Sequence, residues 1–408
     1  MRCRHCRREL SLEMLDLGSA PPSNAYLTAA QLSAPEKWYP LRVLVCEGCW
    51  LVQTEDFADA HELFSPDYAY FSSFSASWLA HSRRYVDDMV ARFSLSPQSH
   101  VVEVAANDGY LLQYVKARGI PCLGIEPTAS TAEAARRKGI PIVEAFFGRD
   151  LAARLRAEGK SAHLMVANNV LAHVPDINDF VAGFAELLAP DGVATFEFPS
   201  LLRLVEECQF DTIYHEHFSY LSLTAAGRVL AANRLRLFDV EELPTHGGSL
   251  RLFAGRADTA SRPESARLGV MRDRERAAGV ETRAFYAGFQ PRADAVKDAF
   301  VRFLLDARRD GIAVAGYGAA AKGNTLLNFA GVRADLVRFV VDRNPAKQGR
   351  FLPGSRIPIV AEEELRKARP GFIVIFPWNL KAELAAQLDY ARACGARFVT
   401  AVPSLEVA

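Results

Sequence analysis

The sequence predicts an α/β chain of three parts: a four-cysteine module, a doubly wound parallel sheet, and a second sheet of the same kind. Two CxxC pairs predict the module. Short apolar runs alternate with helical stretches from "HVVEVAANDGYLL" (100–112) onward and predict the first sheet. The alternation restarts at "GIAVAGYGAAAKGNTLLN" (311–328) and predicts the second. We expect the parts to span residues 1–66, 67–257 and 258–408.

The composition excludes several classes of protein. Lys plus Arg and Asp plus Glu both total 48 in 408 residues, so nucleic acid is not an expected partner. No apolar run is long enough to span a membrane, and the start "MRCRHCRREL" lacks the apolar core of a signal peptide. Because seven cysteines do not pair off evenly, we expect a reduced, cytoplasmic protein without a disulfide framework.

The cysteine pairs are Cys3 with Cys6, and Cys46 with Cys49 in "LVCEGCWLVQ". Two such pairs complete a closed tetrahedral zinc site, which would hold a small loop-rich module together, remote from any chemistry. The stretch between the pairs is longer than in a compact ribbon, and four free buried thiols are the alternative. The balanced charge disfavours a nucleic-acid-binding ribbon.

The central part predicts five parallel strands followed by an antiparallel hairpin. After a helix at 75–93, the hairpin strands are "LRLFDVEEL" and "GSLRLFAGR", preceded by the helix "LTAAGRVLAANR" (223–234). A terminal antiparallel strand after five parallel ones is typical of a class I methyltransferase sheet. The parallel strands are expected in the first half of 100–112, in "IPCLGIEP", and at 140–145, 162–169 and 192–200, with helices at 128–138 and 176–188.

The first αβ turn, "AANDG", indicates the ligand of this sheet. Ala105 and Asn107 stand where a dinucleotide fingerprint has glycines, and Gly109 keeps its place. A ligand without a pyrophosphate suits such a turn, which favours S-adenosylmethionine over NAD. Glu126 ends the second strand, where an acidic residue suits a pair of ribose hydroxyls. A purely structural turn is the alternative.

The C-terminal part, residues 258–408, has weaker sequence evidence for a ligand site. The stretch 259–279 is charged and poor in apolar residues, so we expect a solvated connection into helices at 280–309. The turn "GYGAAAKG" again lacks the full dinucleotide fingerprint. Its backbone amides, with Lys322, Asn324 and Lys347, are candidates to hold the diphosphate of a nucleotide-linked substrate. A scaffolding domain is the alternative.

The octet "IYHEHFSY" (213–220) places two histidines around a glutamate in a loop after a central strand. His173, in "NNVLAHVPD", follows the preceding strand and is expected to face the same cleft. His215 and His217 are two positions apart, whereas zinc-binding helical histidines are four apart. Imidazole titrates near neutrality, so acid–base catalysis is favoured over metal binding. Histidines that only satisfy buried backbone groups are the alternative.

A set of sequence blocks is spread over nearly the whole chain in this order: the four cysteines, "YAYFSSFSASWLAHS", "VVEVAANDGYLL", "GIEPT", "NNVLAHVPD", "YHEHFSYLS", "THGGSLRLF" and "GYGAAAKGNTLLN". In these blocks and their order the chain resembles the three-domain sugar C-methyltransferases that act at C-3 of nucleotide-linked 4-ketohexoses. The resemblance implies a nucleotide-linked 4-keto sugar as partner, with dTDP expected, and a monomer or small homo-oligomer. One departure is the first turn, where family members often have glycine or serine in place of Ala105 or Ala106.

The resemblance also implies roles for the octet. His217 is expected to be the base that removes the C-3 proton, which the 4-keto group acidifies. Charge then develops on the enolate oxygen, and Tyr214 and His173 are the expected donors to it. Tyr68 or Tyr70 is expected to reach in from the "YAYFSS" loop.

Further contacts complete the expected substrate site. Glu216 is expected to orient a partner imidazole or bind the sugar, and His215 is expected to contact the substrate. Two other classes remain open: a methyltransferase acting on oxygen or nitrogen, since His217 could equally deprotonate a hydroxyl, and a non-enzymatic zinc-ribbon adaptor.

The expected cofactor contacts follow from fold position and resemblance. The turn 105–109 would pack against the methionyl portion and ribose, and Glu126 would bind the ribose hydroxyls. Asn168, at the end of the fourth strand, would lie near the sulfonium. Phe146 or Phe147 would flank the adenine, and ordinary core packing is the alternative for both.

Overall fold

The structure is a computed structural model that describes residues 1–57, 71–259 and 262–408. Tyr68 and Tyr70 lie outside the described residues. The strands form separate sheets, and each sheet takes its strands from one predicted part of the chain, with one exception. That exception is a short strand inside the octet 213–220, which joins the sheet of the N-terminal part.

A small antiparallel sheet carries the cysteine pairs. Strand β1 (Leu12–Ala20) pairs with β2 (Tyr39–Val45), and β2 pairs with β3 (Val52–Thr54). The second CxxC pair forms the turn between β2 and β3. Strand β3 then pairs with the octet strand, Ser219–Tyr220, which is β9 in chain order. The octet is therefore physically part of this N-terminal sheet.

The central sheet confirms the predicted arrangement. Its strands are β4 Val101–Val104, β5 Cys122–Ile125, β6 Ile142–Val143, β7 Ala162–Asn168, β8 Leu188–Pro199, β10 Leu235–Leu243 and β11 Ser249–Arg256. They lie in the order β10-β11-β8-β7-β4-β5-β6, with β11 antiparallel to both of its neighbours. The pairs from β8 through β6 are parallel. This is the class I methyltransferase sheet that the hairpin predicted.

Helices cover both faces of this sheet. Ser75, Asp176 and Ser222 cap three of them; Ser75 Oγ, for example, accepts a hydrogen bond from the Trp78 amide at 3.2 Å. The inward residues of this first helix recur at helical spacing, as in Tyr85, Val86 and Met89. The helices are α1 Ala76–Phe93, α2 Leu112–Lys116, α3 Ala129–Arg137, α4 Arg149–Ala157, α5 Ile177–Leu187, α6 Leu201–Glu206 and α7 Leu223–Ala232.

The expected solvated connection at 259–279 is wrong for most of its length. Residues Ala266–Ala278 form helix α8, which buries Leu268, Met271 and Glu275. The Glu275 carboxylate accepts hydrogen bonds from the backbone amides of Leu223 and Thr224, at 2.7 and 2.8 Å, at the start of α7. A carboxylate at a helix N-terminus satisfies amides that have no partner within the helix. The many charged residues of α8 obscured these few buried positions in the sequence pattern.

The C-terminal part forms the second parallel sheet. The helices are α9 Arg283–Ala287, α10 Phe289–Arg309, α11 Ala321–Phe329, α12 Glu362–Ala368, α13 Lys381–Gln387 and α14 Asp389–Ala393. The strands are β12 Val314–Tyr317, β13 Val340–Val341, β14 Ile359–Val360, β15 Phe372–Ile375, β16 Arg397–Thr400 and β17 Glu406–Val407. Their order is β14-β13-β12-β15-β16-β17, and β17 is antiparallel. No helix in the described ranges is long and apolar enough to cross a membrane.

Candidate active site and zinc site

The four cysteines converge at one point. The Cys3 and Cys49 sulfurs lie 3.5 Å apart, the Cys6 and Cys46 sulfurs lie 3.4 Å apart, and all four lie within 4.8 Å of one another. Four thiolates at this spacing fit a tetrahedral zinc ion, whose bonds to sulfur are about 2.3 Å long. This is the one metal-competent cluster of His, Cys, Asp and Glu found in the described parts of the chain. The octet histidines do not form a second.

The first αβ turn has a backbone that few residues adopt. Ala105, Asn107 and Gly109 have left-handed φ angles of 58°, 48° and 75°. At Gly109 a side chain would also meet the Ile140 side chain, so both the φ angle and the space favour glycine there. Strained turns of this kind concentrate at ligand sites. The turn lies at the carboxyl end of β4, where doubly wound sheets bind their ligands.

Glu126 links this turn to the next helix. One carboxylate oxygen accepts from the Asn107 amide at 2.9 Å, and the other accepts from the Thr128 amide at 2.9 Å. Burial raises the pKa of Glu126, and the backbone amides oppose that rise. Each carboxylate oxygen has a second lone pair, so the group can still accept hydrogen bonds from a ribose.

Asn168 and the two phenylalanines divide into different environments. Neither polar atom of the buried Asn168 amide meets hydrogen-bond geometry with a described residue, although the Tyr110 hydroxyl lies beside it. Phe147 packs edge-on against Phe180 and Phe184, with ring centroids 5.7 and 5.3 Å apart, so it belongs to the core. Phe146 is 47% exposed, which leaves it as the candidate for the adenine.

His217 has a fixed orientation inside the octet. Its Nδ1 lies 2.9 Å from the Thr212 carbonyl oxygen. A carbonyl only accepts, so Nδ1 carries the proton and Nε2 keeps its lone pair. Burial, with smaller contributions from His173, His246 and Lys322, lowers the pKa of His217 well below its usual value. The side chain is therefore a neutral imidazole at neutral pH, able to accept a proton.

Two rings surround His217. The Tyr214 ring centroid lies 4.0 Å away and the His173 centroid 4.6 Å away. The sequence analysis expected His173 to face the same cleft as the octet, and in the structure its ring contacts that of His217. However, His173 Nδ1 donates to the Glu216 carbonyl at 2.7 Å, and burial lowers its pKa to about 4. Its Nε2 then carries a lone pair and no hydrogen, so neutral His173 cannot donate a hydrogen bond to an enolate from that nitrogen.

Glu216 is held by the N-terminal module. Its Oε1 accepts from both the backbone amide and the side-chain amide of Asn24, each at 3.1 Å. Its Oε2 is buried and has no hydrogen-bond partner among the described residues, and burial raises the pKa of this carboxyl. An unpaired buried carboxylate oxygen is costly and points to a missing polar partner.

His215 turns away from His217. The His217 amide donates to the Tyr214 carbonyl at 2.9 Å, so the octet makes a tight turn at His215 and Glu216. His215 Nε2 instead lies 3.1 Å from the Pro40 carbonyl, and its ring meets Tyr39 edge-on. This packing against the N-terminal module does not support a substrate contact.

The C-terminal part contributes a cation to the cleft. Burial lowers the pKa of Lys322 to about 8. The Lys322 ammonium lies 4.1 Å from the Trp378 ring and donates to Asn379 at 2.9 Å. Its positive charge also lowers the pKa of both His217 and His246, so it lies near both rings.

Asn324 and Lys347 lie at junctions between parts. Asn324 donates to the Ser23 carbonyl at 2.6 Å and leaves its own amide oxygen without a described partner. Lys347 donates to the Ala319 carbonyl at 2.8 Å and lies 5.1 Å from the Tyr26 ring. Lys347 thus fastens the N-terminal module to the turn of the last sheet, and these contacts do not support a diphosphate contact.

His246 faces the cleft but was not singled out from the sequence. Its φ and ψ are 57° and 19°, a left-handed conformation that is uncommon outside glycine. Its Nδ1 is buried without a described partner, and its ring meets Trp78 at 5.3 Å. Burial lowers its pKa to about 4. The adjacent glycines in "THGG" were the available signal, because they mark a turn of unusual backbone.

Comparisons with known proteins match this architecture part by part. Family models match as a zinc binding domain over residues 3–64, a methyltransferase domain over 78–237 and a C-methyltransferase C-terminal domain over 244–403. The C-methyltransferase NovU of Streptomyces niveus is 33% identical over 407 residues, covering 99% of this chain and 96% of the relative. This chain belongs to the C-methyltransferase family.

The C-methyltransferase is therefore an S-adenosylmethionine-dependent enzyme that carries zinc, and the adaptor alternative is wrong. Its own residues fit both groups: the cysteine cluster fits zinc, and the left-handed turn beside the buried Asn168 amide fits the cofactor. Solved structures similar to part of it include the 1,6-didemethyltoxoflavin-N1-methyltransferase of Burkholderia thailandensis, at 18% identity, covering 51% of this chain and 96% of that one, TM-score 0.37. Another is the magnesium protoporphyrin IX methyltransferase of Synechocystis, at 16% identity, covering 44% and 83%, TM-score 0.36.

Proposed function

We propose that this C-methyltransferase methylates C-3 of a nucleotide-linked 4-keto-deoxyhexose, with His217 as the base. The observation that carries the proposal is the fixed tautomer of His217, whose Nδ1 donates to the Thr212 carbonyl. That bond keeps the Nε2 lone pair directed and ready to take a proton. Methylation at carbon needs such a base, because the attacking carbanion forms only after a C–H proton leaves.

The bound cofactor supplies an electrophilic methyl group. The chain supplies the other requirements. Glu126 and the turn 105–109 would bind the ribose and methionyl portion, Asn168 would lie near the sulfonium, and Phe146 would flank the adenine. Held this way, the cofactor and the sugar would already be oriented for reaction, which lowers the entropic part of the activation barrier.

Removal of the C-3 proton places negative charge on the O-4 oxygen of the sugar. The donors we assign to that oxygen are the Tyr214 hydroxyl and the Lys322 ammonium, joined by the neutral ring of His246. Lys322 has three hydrogens and uses one on Asn379. Fixed donors aimed at developing charge are the strongest catalytic contribution that a buried site provides. His173 instead supports the octet through the Glu216 carbonyl.

The substrate contacts lie where the three parts meet. Glu216 Oε2 and the Asn324 amide oxygen have no hydrogen-bond partner within residues 1–57, 71–259 and 262–408, and both can accept hydrogen bonds from sugar hydroxyls. Both are held by the loop that includes Ser23 and Asn24. The dTDP portion would extend from there toward the last sheet.

The test is methyl transfer with ¹³C-methyl-labelled cofactor and a dTDP-linked 4-keto-deoxyhexose, read by NMR. We expect a labelled methyl group bonded to C-3. A label on oxygen or nitrogen would contradict the proposal and favour the O- or N-methyltransferase. Without cofactor, the enzyme in deuterated buffer is expected to exchange the C-3 hydrogen, which reports proton removal separately from transfer.

A further inference from the structure

The backbone around His217 is held by the zinc-bearing module. Strand β9 pairs with β3 through Gln53 with Ser219 and Val52 with Tyr220. The Thr54 hydroxyl donates to the His217 carbonyl at 3.0 Å, and the Thr54 amide donates to the Phe218 carbonyl at 3.2 Å. The sequence predicted a zinc site remote from the chemistry, whereas the strand leaving the second CxxC turn contacts the proposed base's own backbone.

Arg4 connects the first CxxC pair to the same place. It lies between Cys3 and Cys6, and its side chain is 4% exposed. Its Nε donates to the Phe218 carbonyl at 3.1 Å, and its Nη2 donates to the Thr54 carbonyl at 2.8 Å. The guanidinium also lies 4.9 Å from the Phe218 ring. The planar fork of arginine fixes both carbonyls in one geometry, which a lysine could not reproduce.

A further bond ties this arrangement to a zinc ligand. The Gln53 side chain accepts from the Arg4 amide at 2.9 Å and donates to the Cys3 sulfur at 3.4 Å. Such contacts orient metal ligands and are themselves oriented by them. Cys3 and Cys6 are both expected ligands of one ion, so a bound zinc would constrain the loop between them, which carries Arg4.

We infer that Arg4 is a positioning residue that couples the filled zinc site to the orientation of His217. The inference rests on the proposed function, in which His217 is the base. Zinc would then be needed for turnover as well as for stability of the module. Displacing a catalytic group by about 1 Å costs about 10²-fold in rate, so loss of this coupling has a measurable effect.

The test compares Arg4→Met with Arg2→Met, a matched change at an exposed arginine on the other side of Cys3. In Arg4→Met we expect one bound zinc and unchanged cofactor affinity, with kcat lowered by about 10²-fold. Hydrogen exchange, followed by mass spectrometry, is expected to speed up in the peptide covering 213–220 and not in strand β7. Arg4→Lys should restore only part of kcat, and Arg2→Met should match the wild type.

A kcat within twofold of the wild type, or unchanged exchange at 213–220 in zinc-loaded Arg4→Met, would overturn the inference. If Arg4→Met fails to fold, the wild type is treated with a chelator and then resupplied with zinc. Exchange at 213–220 must then rise and fall with zinc content while β7 stays protected, and a uniform response would overturn the coupling. If His217→Asn proves active, the base is misassigned, but the exchange result still decides whether zinc orders the octet.

Discussion

Replacing His217 by asparagine tests the proposed base most directly. The asparagine amide can still donate to the Thr212 carbonyl, which now accepts from Nδ1 at 2.9 Å, so the octet should keep its turn. The lost ring contacts with Tyr214 and His173, at 4.0 and 4.6 Å, cost about 0.5–1.5 kcal/mol each. That sum is small against a typical domain stability of about 5–15 kcal/mol, so the variant should fold.

The catalytic loss should be much larger. General-base assistance contributes about 10²–10⁴-fold, or about 2.7–5.5 kcal/mol of barrier. The assays are the methyl-transfer rate and C-3 hydrogen exchange without cofactor, and both should fall in His217→Asn. The control is His215→Asn, the same change two positions away on a ring that contacts Pro40. Retained turnover in His217→Asn, or an equal loss in the control, would refute the reasoning.

Three other predictions concern the cofactor, the donors and pH. Glu126→Ala should weaken binding of S-adenosylmethionine about ten- to a hundredfold in calorimetry, because hydrogen bonds to a charged group contribute about 1.5–3 kcal/mol. An unchanged Kd would show that Glu126 does not bind the ribose. His246→Asn should keep its left-handed backbone, which asparagine tolerates, and lose about 10²-fold in kcat, whereas an unchanged kcat would remove His246 from the site. Since the pKa of His217 lies well below 6.5, kcat/KM should stay level as the pH falls to 6.5. The value of kcat/KM should decline as the pH rises through about 8, where Lys322 loses its proton. Lys322→Met should lower the rate and abolish that decline. If the decline persists in this variant, another group causes it.

Contacts with residues distant in sequence explain why some expected site residues meet other partners. Lys347 and His215 carry the right chemistry for substrate contacts, yet Lys347 donates to the Ala319 carbonyl and His215 Nε2 lies against the Pro40 carbonyl. Phe147 carries the right chemistry for an adenine and packs into the core. Residue type states what a side chain can do, whereas the packing around it decides which partner it meets.

The sequence by itself determined the features that depend on neighbouring residues. Apolar periodicity predicted the central sheet and its antiparallel end, because a strand or helix must repeat its apolar positions to face a core. Two CxxC pairs predicted the zinc site, because each pair brings two sulfurs to one ion. The octet predicted acid–base chemistry through its residue types.

Only the tertiary structure decided what holds and surrounds the proposed base. The Thr54 hydroxyl meets the His217 carbonyl across 163 positions of sequence, and Lys322 approaches from a different sheet. Hydrogen-bond donors and acceptors on the backbone are the same at every residue, so sequence carries no mark of which distant strand will pair with β9. That choice follows from how the three parts of the chain pack against one another in shared cores, which depends on the shape of all three at once.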